Sequence, residues 1–511
     1  MIGKLLKKEK KLPIEPKHYK VGVTSGIPSI DKATAPQQVQ MVVTKGVKVI
    51  EIDLEFPTSV TPIDIEKLRS IGEAQKLEFT IHGATNVSLP TTSAEKLEYK
   101  RVDDDMKEYI KVAKKIGAKA INIHSSYLPS PFFYRETRKW SYLLVDENGN
   151  PIEDKLLRSE KALNWFALEE MKRHTSKASE SLLLQYLTKK YKDMKKAEEE
   201  FEKLFGEEKE KMILEAWKDY IREVVKKKVE SVLSMAEYHA YIIVAWDMYE
   251  NKDPLWKNIC GKKDPIELIE SGEEGKLVDA VAAKYLEGHI NKLLKDLEKN
   301  KITLLIEVPD CRSASYRGHF RLVRPKDICH LMKKIDNPYV RCTIDFEHVA
   351  THGLDVMKEI KALGPRDGEY VKMLHVGSNP SPAHLHIPVE RGDIYLYKLM
   401  WELRLRGFMD GYILYEWGGG RREEVRWLES VQNLKRMAIY LEADIPPDKL
   451  PKEFFGLTEG EIERERRIIE RNMFNPLQGT LEAPELSHTW FGGEILKKKK
   501  PKEVWEREEF R

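Results

Sequence analysis

The chain is predicted to be an α/β protein, a (β/α)8 barrel with a large helical insertion after strand 4 and a C-terminal extension. Three observations lead there. Short β-branched apolar runs recur eight times, each followed by a polar turn and a helix-like stretch. Near-continuous apolar strands that alternate with helices imply a parallel sheet covered on both faces, and eight such units are the count of a closed barrel. The runs also end in polar residues of one consistent kind. Composition alone leaves a doubly wound open sheet as the alternative.

The runs in order are YKVGVT (19–24), VKVIEIDL (47–54), LEFTIHG (77–83), AKAINIHSS (118–126), KITLLIEVPD (301–310), VRCTIDFEH (340–348), YVKMLHVGS (370–378) and GYILYEWGG (411–419). Amphipathic stretches such as 94–117 and 325–335 lie between them and read as barrel helices. One spacing is anomalous, because residues 127–300 separate the fourth run from the fifth. The predicted organisation is therefore a barrel over 15–130 and 296–445, a mostly helical insertion over 131–295, and an extension over 446–511. Within the insertion, KKAEEEFEKLFGEEKEK reads as a solvated helical face with i,i+4 charge pairs. LVDAVAAKYLEGHINKLLKDLEKN (277–300) reads as the barrel helix that feeds the fifth strand, and about 422–442 as the eighth helix. The basic run KKKKPK (497–502) reads as solvent-exposed tail.

Composition narrows the function classes. The 511 residues are 41% hydrophobic, enough for a sizeable core, and 33% charged, a Lys- and Glu-rich share of the thermophile kind. A net charge of +3 advertises no global basic field for nucleic acid. The four cysteines, Cys260, Cys311, Cys329 and Cys342, show no CxxC spacing, which argues against a disulfide framework and a Cys-based zinc site. The N-terminus lacks the apolar stretch of a signal peptide, and the most apolar long segment, 231–250, carries Glu237, His239 and Asp247. The expectation is a cytoplasmic protein with no membrane partner and an oligomeric state that the sequence leaves open.

The chemistry sits at the strand ends, which converge on one mouth in a parallel barrel. The third run ends at His82, the fourth at His124 and the fifth at Glu307. The sixth ends at Asp345 with His348 three residues on, the seventh at His375, and the eighth at Glu416; His384 and His386 follow the seventh. Carboxylates and imidazoles crowded at one mouth repel or desolvate one another at a cost that a multivalent cation removes. Histidines with three carboxylates and no thiolate suit Zn2+, Mn2+ or Fe2+, and nine donors fit two or three ions with a bridging carboxylate. Clustered ions are an apparatus for phosphodiester hydrolysis.

CTIDFEH, LHVGSNPSPAHLHIPVERGD, KITLLIEVPD, YILYEW and FTIHGATNVSLP together resemble the endonuclease IV family of apurinic/apyrimidinic endonucleases, within the xylose-isomerase-like TIM-barrel superfamily. The resemblance covers 15–130 and 296–440. It implies a first zinc ion on His82, His124 and Glu307. Glu307 would bridge to a second ion on Asp345, His375 and Glu416, and would position or deprotonate the attacking hydroxide. A third ion would sit on His348 and His386. The family has an Asp where this chain has His384, for which Asp393 of this chain is a candidate substitute, a Tyr where this chain has Thr85, and an Asn where it has Val308. Arg312, Arg317 and Arg391 are candidates for phosphate contacts. The expected function is a metal-dependent phosphodiester hydrolase acting on nucleic acid or another phosphoester. The alternative is a sugar or sugar-phosphate isomerase or epimerase of the same superfamily, using Glu307, Asp345, His375 and Glu416 around one ion. A barrel turned into a binding scaffold through its insertion is a third reading.

Overall fold

The computed structural model describes residues 13–26, 34–83, 96–126, 146–150, 153–226, 235–249, 253–261, 263–311, 314, 317–318, 320–416 and 426–456. The chain forms two compact units, residues 1–447 and 448–511.

In the first unit eight parallel strands close in sequence order into a barrel. They are β1 (Tyr19–Thr24), β2 (Val49–Leu54), β3 (Glu78–Gly83), β4 (Ala120–His124), β5 (Thr303–Glu307), β6 (Val340–Asp345), β7 (Val371–Val376) and β8 (Gly411–Tyr415). β1 pairs with β8 from Tyr19 opposite Gly411 to Val23 opposite Tyr415, which closes the ring and excludes the open sheet. Strand side chains alternate between faces, so every second residue points inward. The inward columns start apolar: Val49, Ala120, Leu305, Met373 and Leu414 pack together inside the barrel. Two residues further on, the same columns carry Glu51, Asn122, Glu307, His375 and Glu416. Gly22 is needed where β1 and β2 approach closely, since an added Cβ would lie 2.1 Å from the carbonyl oxygen of Val49.

Helices cover the outside: α1 (Ala35–Val43), α2 (Pro62–Gln75) and α3 (Lys96–Ile116) follow the first three strands. The start of α2 is set locally, with Thr61 accepting from Asp64 N and the Asp64 carboxylate reaching back to Thr61 N. Between β4 and β5 nine helices are described: α4 (Glu153–Arg158), α5 (Glu160–Arg173), α6 (Ser176–Tyr191), α7 (Met194–Glu202), α8 (Gly206–Lys226), α9 (Met235–Tyr249), α10 (Pro254–Cys260), α11 (Pro265–Glu270) and α12 (Glu274–Asn300). Leu163, Phe166, Trp217, Ile221 and Ile243 form an apolar cluster among them. The barrel helices resume with α13 (Pro325–Ile335), α14 (Phe346–Thr351), α15 (Val356–Lys361), α16 (Ile394–Leu405) and α17 (Arg426–Glu442). The apolar segment 231–250 contains α9, where Ile242, Ile243 and Val244 are buried. Among the described residues no helix is long and apolar enough to cross a membrane.

In the second unit Lys452–Phe455 form one 3-10 turn that ends at Gly456 in the left-handed conformation. The basic run 497–502 lies outside the described residues, as do Thr85 and Arg312.

Candidate metal centre

All nine residues singled out at the strand ends meet at the mouth of the barrel. β3 and β4 carry His82 and His124 on the inward face, and β4 pairs with β5 so that His124 lies opposite Glu307. β6 and β7 place Asp345 opposite His375. Glu416 follows β8 directly, and its N–H donates to Val376 O. The register thus presents six donors from six successive strands, with α14 and the loop before α16 adding three histidines.

Glu307 is the centre of the arrangement and is fully buried. Its Oε2 lies 3.0 Å from His82 Nε2 and 3.7 Å from His124 Nε2. Its Oε1 lies 3.1 Å from both His348 Nδ1 and His375 Nδ1. Asn122 Nδ2 donates to Oε2 at 2.6 Å, and Thr343 Oγ1 donates to Asn122 Oδ1 at 2.8 Å, so the carboxylate is fixed from behind. On the far side His375 Nδ1 is 3.4 Å from Glu416 Oε2 and 3.9 Å from Asp345 Oδ2. Asp345 has two tasks: its Oδ1 accepts from His348 N and caps α14, while Oδ2 faces the cluster.

The outer part is imidazole-rich. His384 Nε2 lies 3.1 Å from His348 Nε2 and 2.9 Å from His386 Nε2, and His386 Nε2 is 3.8 Å from Glu416 Oε1. His384 and His386 both have left-handed backbone, φ 50° and 46°. Non-glycine residues rarely adopt it, and such strain concentrates at functional sites. The short loop aims two imidazoles at one point at the cost of that strain. Glu347 fixes the second by accepting from His386 N at 2.9 Å. Asp393 is not the substitute acid expected at this rim. Its carboxylate caps α16 through Leu396 N and accepts from Ser378 Oγ at 2.5 Å, so it is already spent on holding the helix.

The electrostatics follow from burying this many ionisable groups. Burial opposes charge on Glu307, yet the imidazoles of His375, His348 and His82 hold its carboxyl well below the usual range. Burial likewise opposes charge on His82, but the Glu307 carboxylate keeps it up at about 9. His348 and His375 are raised well above the ordinary value by the carboxylates around them, against the pull of burial. Burial lowers His124 to about 4, and burial with the neighbouring His348 and His386 lowers His384 to about 3. Burial pushes Asp345 well up, and Asp53 at the end of β2 to about 7. A divalent cation at this cluster would supply the positive charge that the carboxylates otherwise draw from His82, His348 and His375.

The donor set fits such a cation. Donors on one tetrahedral ion with bonds of about 2.0–2.1 Å lie about 3.3 Å apart, close to the separations above. Five groups have ligand atoms mutually within 4.8 Å: His82–Glu307–His375, His124–Glu307–His348, Asp310–His348–His384, His384–His386–Glu416, and Glu307–Asp345–His375–Glu416. Asp345 Oδ2, Glu416 Oε2, His82 Nδ1 and His386 Nδ1 are buried and make no hydrogen bond, a costly condition unless a cation meets it.

Three carboxylates at the site escaped the sequence reading. Asp310 lies 3.9 Å from His124 Nδ1, Glu347 holds the His386 backbone, and Glu51 lies 2.7 Å from His375 Nε2. Glu51 had a signal, since it shares the period-2 phase of the inward column that starts at Val49. Arg317 Nε donates to Thr351 O at 2.9 Å, and Val308 accepts from His348 Nδ1 at 2.9 Å through its carbonyl.

A family model described as xylose isomerase-like TIM barrel matches residues 269–437. That span holds Glu307, Asp345, His348, His375, His384, His386 and Glu416 but neither His82 nor His124. No curated protein matches the chain significantly. Among solved structures, a D-tagatose 3-epimerase-like protein is 12% identical at TM-score 0.43, over 84% of this chain and 100% of the other. A D-psicose 3-epimerase with D-tagatose, from Clostridium cellulolyticum H10, is 10% identical at TM-score 0.41, over 83% and 96%. A xylose isomerase domain protein from Planctomyces limnophilus is 9% identical at TM-score 0.38, over 84% and 99%. The expected tie to endonuclease IV thus widens to the xylose isomerase-like barrel.

Proposed function

We propose that the chain is a divalent-metal-dependent hydrolase that cleaves a phosphodiester, in nucleic acid or another phosphoester, at a centre for two or three ions. The observation that carries this reading is Glu307, whose two oxygens face two separate histidine sets, as a carboxylate shared between ions requires. Bound there, zinc, or Mn2+ or Fe2+, would neutralise phosphoryl charge and acidify a water at neutral pH. The chain's own groups hold that arrangement. Glu307 is pinned by Asn122 and its imidazole neighbours, so it keeps its shared position instead of swinging out to substrate. His82 and His124 supply one side, Asp345, His375 and Glu416 the other, and His348, His384 and His386 the outer rim.

The test is metal content of protein purified without added metal, with hydrolysis of an abasic-site duplex by wild type and Glu307→Gln. Two or three equivalents of zinc are expected, with activity down at least about 100-fold in the variant. One equivalent of Mn2+ or Mg2+, or undiminished cleavage by the variant, overturns the reading.

A specific observation favours a second reading, sugar isomerisation or epimerisation. Glu307, Asp345, His375 and Glu416 alone make a complete four-ligand group for one ion. The matched family model, described as xylose isomerase-like TIM barrel, is compatible with this chemistry as well as with the first reading. One bound ion, with deuterium exchange from solvent into a free keto sugar followed by NMR, is the result this second reading requires.

A further inference from the structure

Glu51 is an ionisable residue in the middle of a buried strand, with none of its surface exposed. An unpaired carboxylate there costs several kcal/mol, and an apolar residue would continue the column begun by Val49 without that cost. What Glu51 faces is the back of His375. Its Oε2 lies 2.7 Å from His375 Nε2, while Nδ1 on the other edge of the ring lies 3.1 Å from Glu307, 3.4 Å from Glu416 and 3.9 Å from Asp345. Neither Glu51 Oε2 nor His375 Nε2 makes a hydrogen bond to any other group, and the contact between them is short but off-axis.

We propose that Glu51 is a positioning residue: its carboxylate accepts a hydrogen bond from Nε2–H of His375, keeps the ring proton on that nitrogen, and so presents the Nδ1 lone pair to the Glu307–Asp345–Glu416 group. A neutral imidazole carries one ring proton, and the neighbour of one nitrogen decides which nitrogen is free to ligate. Without Glu51 the proton has three carboxylates to choose on the Nδ1 side and no acceptor on the other. The lone pairs of Nδ1 and Nε2 diverge across the ring, so an oxygen at Nε2 cannot also reach an ion held at Nδ1. Glu51 therefore acts through His375, and its charge makes that imidazole a stronger donor. The inference rests on the reading of the site as a metal centre and holds for one ion or several.

The experiment titrates Co2+ into protein stripped with a chelator, for wild type, Glu51→Ala and Glu51→Gln, by visible absorption and chelator competition. Uptake by wild type is the condition for the metal-centre reading, and a wild type that takes up no Co2+ overturns that reading along with this one. Given uptake, Glu51→Ala binds about 10–100-fold more weakly, with an altered visible spectrum. Glu51→Gln keeps an acceptor without the charge, so its affinity falls between the two. Histidine nitrogen NMR of Glu51→Gln then retains the Nε2–H form that Glu51→Ala loses. Where Glu51→Ala does not fold, Glu51→Gln decides by its weaker binding. Wild-type affinity and spectrum in the folded variants overturn the proposal, as does a loss of thermal stability with both unchanged, which a merely structural ion pair would give.

Discussion

His82 and His384 show how a single residue's surroundings set its readiness for a cation. Glu307 keeps His82 protonated up to about 9, against burial, whereas burial holds His384 neutral down to about 3. An imidazolium cannot ligate, so a cation entering at His82 must displace a proton below about pH 9. Zinc uptake is therefore expected to strengthen from pH 6 to pH 8 and to release protons, measured by titration in unbuffered solution. Uptake independent of pH would contradict this assignment. A second expectation concerns His384, which contributes to two donor groups at once. His384→Ala removes the outer groups while leaving Glu307, Asp345, His375 and Glu416, so zinc content by atomic emission falls by one equivalent in a folded protein. Six of the nine donors were legible in sequence because each ends an apolar run, and His348, His384 and His386 because they follow such ends within a few residues. Glu51, Asp310 and Glu347 were not, because a carboxylate inside a strand, past its end or on a helix reads as a solvated face until the packing is known.

The elements were legible where burial decides them. Barrel strands are apolar on both faces and stand out, and α13 begins at the proline of its stretch. The C-terminal ends of α3 and α17, Ile116 and Glu442, fall within one residue of the expected 117 and 442, and the residues just before Lys96 and Arg426 lie outside the described residues. Two predictions belong here. Leu305 of β5 is fully buried in the lower layer, and Leu305→Ala is expected to cost about 2–5 kcal/mol in urea unfolding. Asp253, the N-cap of α10, lies 2.7 Å from Lys284 of α12 and 2.6 Å from Lys334 of α13, while Glu287 lies 2.7 Å from each lysine. Burial opposes its charge, but the two lysines hold Asp253 below its ordinary 3.8. Its contribution is thus present above about pH 4 and lost as pH falls through the lowered value. Asp253→Asn is expected to cost about 2 kcal/mol at pH 7, with the difference from wild type vanishing near pH 2 in denaturant melts.

For the whole molecule, a cation bound only by the folded chain adds to its stability by mass action. At a free concentration 100 times the dissociation constant the gain is about 2.7 kcal/mol. Thermal melts with zinc and with a chelator are expected to differ accordingly, and coincident melts would count against a site that exists only in the fold. The overall architecture was legible because the anomalous spacing located the extra chain between the fourth and fifth strands, where α4 to α12 lie. The arrangement of those helices was not, because charged helical stretches carry no address for their packing partners.

These five inward columns change character halfway along, apolar at Val49, Ala120, Leu305, Met373 and Leu414, and polar or ionisable above them. The two halves answer to different selective demands. Substitutions in the lower half subtract stability and remove the protein from solution before any chemistry can be judged. Replacing upper-half carboxylates and imidazoles with apolar residues of similar volume relieves buried charge and can raise the melting temperature while abolishing function. A pooled library of single substitutions, sorted once for folded abundance and once for metal retention, would separate the barrel along its axis into a floor that tolerates no loss of volume and a mouth open to new chemistry.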